Sequence, residues 1–457
     1  MDFRPLITQC TCWRTEELEV EVVQARKFHL GWFANFCIDA WNDQWGSTGG
    51  QNWSGDFYVE LVQHLERAKF DYLLLEDKLM VSDAYGDSYE RELKHALHSP
   101  KHDPAPLIPL LGNVTQHLGL VVTLSSTFYP PFLLARLCST LDHLTGGRLG
   151  WNMVTSAEDR SAQNFGLDQL PRHDERYARA HEYVDLVRQL WNSWEPDAVV
   201  RDRATNTFVD HAKVHTIDFE GAYYRSRGPL NTVPSPQYHP VLAQAGGSPQ
   251  GKDFAAKYAD TVVGTAADPD GMIAYRDDIR RRAVEYGRDP DDIKVLFLIT
   301  PHLADTDEEA QAKLDRLVNN EFYIEKTLAH LAAIVEIDFT KFDFDKPLPD
   351  DLQTNGEKGS LEAFIQRGSG KTLRELTAAY LSTEDALVGS PSTVADRLED
   401  LMAQVGGDGF LITAPGMRLT RKYVIEVVDG LVPELQRRGL ARTDYEHSLF
   451  KDNLLSY

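Results

Sequence analysis

Eight short apolar runs, separated by longer segments of helical period or polar loop, constrain this chain more than any other feature. They are FHLGWFAN from Phe28, YLLLED to Asp77, LGLVVTLSST from Leu118, RLGWNMVTS from Arg148, PVLAQAG from Pro240, TVVGTA from Thr261, KVLFLITPHLA from Lys294 and GFLIT to Thr413. Short runs that are apolar throughout read as strands covered on both faces, and strands alternating with helices predict a parallel α/β sheet. An open doubly wound sheet uses the same alternation but usually stops at about five to seven strands. Eight runs favour closure into a (β/α)8 TIM barrel. The segment from Asp174 to Trp194 fits that reading, because Tyr177, His181, Val184, Val187 and Trp191 fall largely on one stripe of a helix able to cover a sheet.

A minimal barrel takes roughly 250 residues, whereas this chain has 457, so much of it must be insertion. Residues 1–27 read as an N-terminal extension and residues 28–457 as a single barrel domain. Candidate insertions are residues 80–107, 200–235 and, largest, 320–390 between the last two strands. An insertion on the C-terminal side of the strands can fold over the barrel mouth, so 320–390 is expected to be either a lid or a surface subdomain. Within it, Gly370-Lys371-Thr372 imitates a phosphate loop, but Ile365 stands where that motif needs its first glycine. Thr372 and Glu375 have instead the spacing of a helix capping box.

Charge and motif content narrow the function. With 47 basic and 70 acidic residues the formal charge is −23, which opposes nucleic acid and anionic membrane, and no local basic patch offsets it. Four cysteines make no disulfide framework, no export signal precedes the first strand, and the expectation is a cytoplasmic protein. No metal-ligand spacing and no serine-hydrolase motif occurs.

In a barrel of this type the active site lies at the C-terminal ends of the strands. The polar residues there are Asp77, Thr123 with Ser125 and Thr127, Asn152, Thr155, and Gln244 before Gly246-Gly247-Ser248. Ser248-Pro249 is a helix start whose amides and dipole suit a phosphate, and equally a plain capped helix. His173 and Tyr177, four apart, project from one helical face and could join Ser248 in a phosphate clamp or serve structure alone.

Read together, ERAKFDYLLLED (Glu66 to Asp77), HLGLVVTLSSTFYPPFLLAR (His117 to Arg136), STLDHLTGGRLGWNMVTS (Ser139 to Ser156), HDERYARAHEY (His173 to Tyr183), QAGGSPQGKDFAAKYAD (Gln244 to Asp260) and VPELQRRGLARTDY (Val432 to Tyr445) resemble the bacterial luciferase-like flavin monooxygenases. The branch they resemble contains the nitrilotriacetate, EDTA, dibenzothiophene-sulfone and long-chain alkane monooxygenases. The resemblance implies a TIM barrel that binds FMN as FMNH2, supplied by a separate NAD(P)H:flavin reductase. It also implies reaction with O2 through a C4a-(hydro)peroxyflavin to oxygenate a small organic substrate by C–N, C–S or C–H oxidation, in a homodimer or homotetramer.

Carried over, Asp77 and Thr123 would lie near the flavin ring or ribityl chain, Asn152 and Thr155 would line the same cleft, and His173, Tyr177 and Ser248 would hold the phosphate. Asp39 and His330 are the catalytic candidates, each near a position where some members of the family carry a functional side chain. A deazaflavin-dependent oxidoreductase and a flavin-binding protein without turnover are the alternatives. Lys78, Arg160, Arg172 and Arg367 are expected to be solvated surface cations, although a polyanionic substrate would need them in the cleft. The aromatics Trp32, Phe33, Phe36, Trp41, Trp45, Phe128 and Tyr129 are expected mostly in the barrel core.

Overall fold

The computed structural model describes residues 27–37, 40–46, 53–266, 268–349, 351–366, 370–382 and 387–457. All eight apolar runs form strands: β1 (His29–Asn35), β2 (Tyr72–Glu76), β3 (Gly119–Ser125), β4 (Leu149–Val154), β5 (Val241–Ala245), β6 (Thr261–Gly264), β7 (Lys294–Ile299) and β8 (Gly409–Ile412). Each pairs in parallel with its sequence neighbours, and β1 pairs with β8, so the sheet closes into a barrel in sequence order. The TIM barrel predicted from the alternation is therefore the fold.

Side chains alternate between two cores, as strand geometry requires. Tyr72, Leu74, Val121, Val241, Ala243, Val263, Leu296 and Leu411 point inward and fill the barrel. Residues of opposite parity, among them Leu73, Leu75, Leu120, Val122, Trp151 and Val262, pack against the outer helices. The bottom of the barrel is plugged by Phe450, which occupies space that only glycine can leave: a Cβ on Gly119 would lie 2.6 Å from its ring.

Below the plug, the wholly buried Asp71 accepts hydrogen bonds from Arg442 Nη2 at 2.7 Å and from the Leu30 amide at 2.8 Å, and lies 3.0 Å from His29 Nδ1. Burial opposes ionisation there, but Arg442 and His29 outweigh it and hold the carboxyl below its usual range.

The 320–390 insertion has a core of its own. Ile324, Leu328, Leu331, Phe339, Leu361, Phe364, Leu373 and Leu376 cluster together, and Ala84 from the 80–107 insertion joins them. The predicted capping box is present, with the Thr372 amide donating to Glu375 Oε2 at 2.9 Å and the Glu375 amide donating to Thr372 Oγ1 at 3.3 Å. The placement of aromatics departs from expectation at two positions. Trp32 and Phe36 are buried, whereas Trp41 and Trp45 are 44% and 49% exposed, because they follow the loop off β1 and leave the strand period that buries Trp32.

Candidate active site

Inward parity at the tops of β2, β3 and β4 sets Glu76, Thr123 and Asn152 over the barrel axis. Thr123 lies opposite Asn152 in the β3–β4 register, and Asn152 Nδ2 donates to Thr123 Oγ1 at 2.9 Å. This leaves Asn152 Oδ1 buried without a partner. A buried acceptor left open in this way costs free energy unless a ligand fills it. Thr155, half-buried beyond β4, is tied to the β3 loop through its carbonyl, which accepts from Thr127 Oγ1 at 2.7 Å.

Glu76, a carboxylate absent from the strand-end residues read from the sequence, stands beside Asp77. β2 ends at Glu76, and Asp77 lies one residue beyond it. Glu76 pairs with Lys101, with its other oxygen buried and unpartnered. Asp77 differs electrostatically: burial raises its carboxyl to about 7, Lys101 opposes, and Glu76 and Asp103 reinforce the rise. A strand-end carboxyl that titrates near neutrality is a hallmark of a functional cleft.

His173, Tyr177 and Ser248 come together. The His173–Trp191 helix places the rings of His173 and Tyr177 with centroids 5.0 Å apart. Burial raises the pKa of the Tyr177 phenol, and the neighbouring side chains of Ser248 and Gln244 oppose the rise. Ser248 caps the Pro249–Tyr258 helix, its Oγ accepting from the Gly251 amide at 3.1 Å. Gln244 is 2% exposed and its Oε1 is unpartnered. A helix N-terminus, two hydroxyls, an imidazole and an open buried amide oxygen are donors and acceptors that fit a phosphate and the polyol chain behind it. The residues present thus fit a flavin mononucleotide.

Residues of both insertions contact the strand-top loops. Lys78, just past β2, pairs with Glu158 after β4 and with Glu357 at 3.0 Å. Burial alone would lower the lysine's pKa, but the carboxylates of Glu158 and Glu357 push it up, so the ion stays charged. Arg160 pairs with Asp83 and with Glu336 at 3.1 Å. These pairings correct the expectation of solvated cations at Lys78 and Arg160: both are committed to carboxylates that join barrel to insertion, because each lies where two chain segments are packed together. Arg172 is exposed, and Arg367 lies outside the described residues. The Lys358–Gln366 helix brings Gly359 over the Gly246-Gly247-Ser248 loop, where a Cβ on Gly359 would lie 3.6 Å from Gly247 Cα.

Of the two catalytic candidates, Asp39 lies outside the described residues. His330 is on the Glu321–Val335 helix of the large insertion, its ring stacked on that of His98 from the other insertion. Sequence spacing had no means of finding His98, since nothing local links the two histidines. Among the described residues no helix is long and apolar enough to cross a membrane, and no group of side chains is arranged to hold a metal.

Comparison with known proteins agrees with this geometry. The model of the luciferase-like monooxygenase family matches residues 28–409. The chain is 37% identical over 446 residues to dibenzothiophene-sulfone monooxygenase of Rhodococcus erythropolis strain XP, covering 95% of this chain and 97% of that one. It is 38% identical over 410 residues to nitrilotriacetate monooxygenase component A of Aminobacter aminovorans, covering 87% and 89%. Among solved structures, a riboflavin lyase determined with modified FMN and riboflavin superimposes with a TM-score of 0.84 at 30% identity, covering 94% of this chain and 96% of that one. The protein is an oxidoreductase belonging to the luciferase-like monooxygenase family.

Proposed function

We infer that the protein is the oxygenating component of a two-component monooxygenase that takes FMNH2 from a separate NAD(P)H:flavin reductase and uses O2 to oxygenate a small organic substrate. The buried Tyr177 hydroxyl, set against Ser248 at the start of the Pro249–Tyr258 helix, carries this reading, because it builds an anion site at the correct end of a TIM barrel. Bound reduced flavin would supply the two electrons that activate O2, with one oxygen atom entering substrate and the other leaving as water.

The chain's own part is to bind, orient and keep dry. Ser248, Tyr177 and His173 would hold the phosphate, and Asn152 Oδ1 and Gln244 Oε1 offer acceptors to donors of the cofactor. The insertion, tied down through Glu357 and Glu336, would exclude water from the mouth and act as its lid. Asp77 would hold or release a proton near neutral pH beside the ring.

Anaerobic titration with FMNH2, followed by mixing with oxygenated buffer, tests the reading. Saturable binding, with reoxidation kinetics that differ from free FMNH2, is expected. Failure to bind FMNH2, together with binding of a reduced deazaflavin, would replace it with the deazaflavin-dependent reading.

A further inference from the structure

The contact between the two insertions contains an unusual buried group. His98 and His330 stack with ring centroids 4.7 Å apart and an interplanar angle of 21°. Behind His98 stands Glu92, itself 3% exposed: its Oε1 accepts the His98 amide at 2.8 Å, and its Oε2 lies 3.4 Å from His98 Nδ1. His98 is 3% exposed and its Nε2 is buried without a partner, whereas His330 keeps part of its surface open. The junction is held in place from both sides, since Glu325, one turn before His330, lies 2.7 Å from Arg91 Nε and 3.4 Å from His95 Nε2.

Two imidazoles at this separation cannot both carry a proton in a buried site without a large repulsion. Glu92 stands beside one ring only. Charged neighbours surround the other: burial holds His330 well below its ordinary range, and His98, Lys78, Lys326 and Lys101 each push in the same direction. Lys78 and Lys101 are also the partners of Glu158, Glu357 and Glu76 at the top of the barrel, so His330 lies next to the groups that border the mouth.

We propose that Glu92 and His98 are positioning residues that fix the ring of His330 at the mouth as a neutral imidazole, the group that accepts a proton from bound substrate. The transfer moves one proton from substrate to a ring nitrogen of His330 and involves no change in oxidation state. Backing one imidazole with a carboxylate fixes its ring and tautomer, and here the effect passes to the second ring through the stack. His330 sits on the large insertion and His98 on the smaller one, so the arrangement exists only while both are docked. Its use in oxygenation rests on the flavin reading above, but the protonation pattern does not.

Full-length protein labelled with 13C-histidine provides the test, by 1H–13C spectra recorded between about pH 5 and 8.5, with the His330 signal identified by its loss in His330→Asn. In the parent protein His330 is expected not to titrate above about pH 6. Glu92→Gln, which keeps the shape of the site, is expected to raise the His330 midpoint by about one pH unit. His98→Asn is expected to move it in the same direction. A His330 midpoint unchanged in Glu92→Gln, or a parent His330 that titrates as an ordinary exposed histidine, would overturn the proposal. FMNH2 binding measured on the same samples keeps the two questions apart: lost binding with the expected titrations would remove the flavin reading and leave the histidine pair standing.

Discussion

Lys78 Nζ lies 3.0 Å from Glu357 Oε1, so the residue just past β2 is joined directly to the 320–390 insertion. The same ammonium also pairs with the buried Glu158. Removing Glu357 therefore leaves Lys78 partnered, and the exposed member of the pair contributes little to global stability. Glu357→Gln is expected to cost about 0.5 kcal/mol or less, while raising amide hydrogen exchange across residues 354–366 and speeding FMNH2 release. Hydrogen-exchange mass spectrometry, with a thermal melt as control, checks this. Unchanged exchange would show that packing of the insertion core alone holds that segment down.

Lys78→Met should behave differently, because it strands Glu158, which is held ionised against burial chiefly by this lysine. A buried carboxylate without its partner costs about 3–5 kcal/mol. A denaturant melt showing a loss below about 1 kcal/mol would mean that Glu158 finds another partner or takes up a proton freely.

Asp71 and Asp77 lie at opposite ends of β2 and make opposite contributions to stability against pH. Asp71 has a folded pKa below its unfolded value, so its contribution is present above about pH 4 and lost as pH falls further. Asp77 is raised to about 7, so the folded state binds the extra proton between about pH 4 and 7 and stability drains as pH rises through that window. Asp77→Asn is accordingly expected to stabilise the fold by about 1–2 kcal/mol at pH 8 and to be nearly neutral at pH 4. Asp71→Ala, which leaves the buried Arg442 without its carboxylate partner, should destabilise by about 3–5 kcal/mol near neutrality. Denaturant melts at the two pH values check both; a destabilised Asp77→Asn at pH 8 would show that the fold favours the carboxylate and does not raise its pKa.

Tyr177→Phe and Ser248→Ala separate a ligand contact from a helix cap. Tyr177→Phe removes one hydroxyl, and FMNH2 affinity is expected to fall by about 1–3 kcal/mol with little change in melting temperature. Ser248→Ala also deletes the cap on Gly251, so it should lose about 1 kcal/mol of stability as well. Equal FMNH2 dissociation constants in both variants and the parent would remove the phosphate site from this loop.

The sequence by itself was enough for the barrel. Each strand carries its own signal, since a stretch of Leu, Val and Ile bounded by Gly, Pro or Asp reports burial on both faces without reference to the rest of the chain, and the observed strands fall within the predicted runs. The helix start at Ser248-Pro249 and the shared face of His173 and Tyr177 were legible for the same reason, because both are local features. The departures have a common cause. At β2 the choice between Glu76 and Asp77 depended on where the strand ended. Trp41 and Trp45 read as core until the loop carried them out to solvent. Lys78, Arg160 and His330 read as single residues, although Glu158, Glu357, Asp83 and Glu336 pair with the two cations and His98 stacks on the imidazole. Those partners come from segments far apart in the chain, and a charge in a folded protein answers to its spatial neighbours and its distance from water, neither of which leaves a period in the sequence.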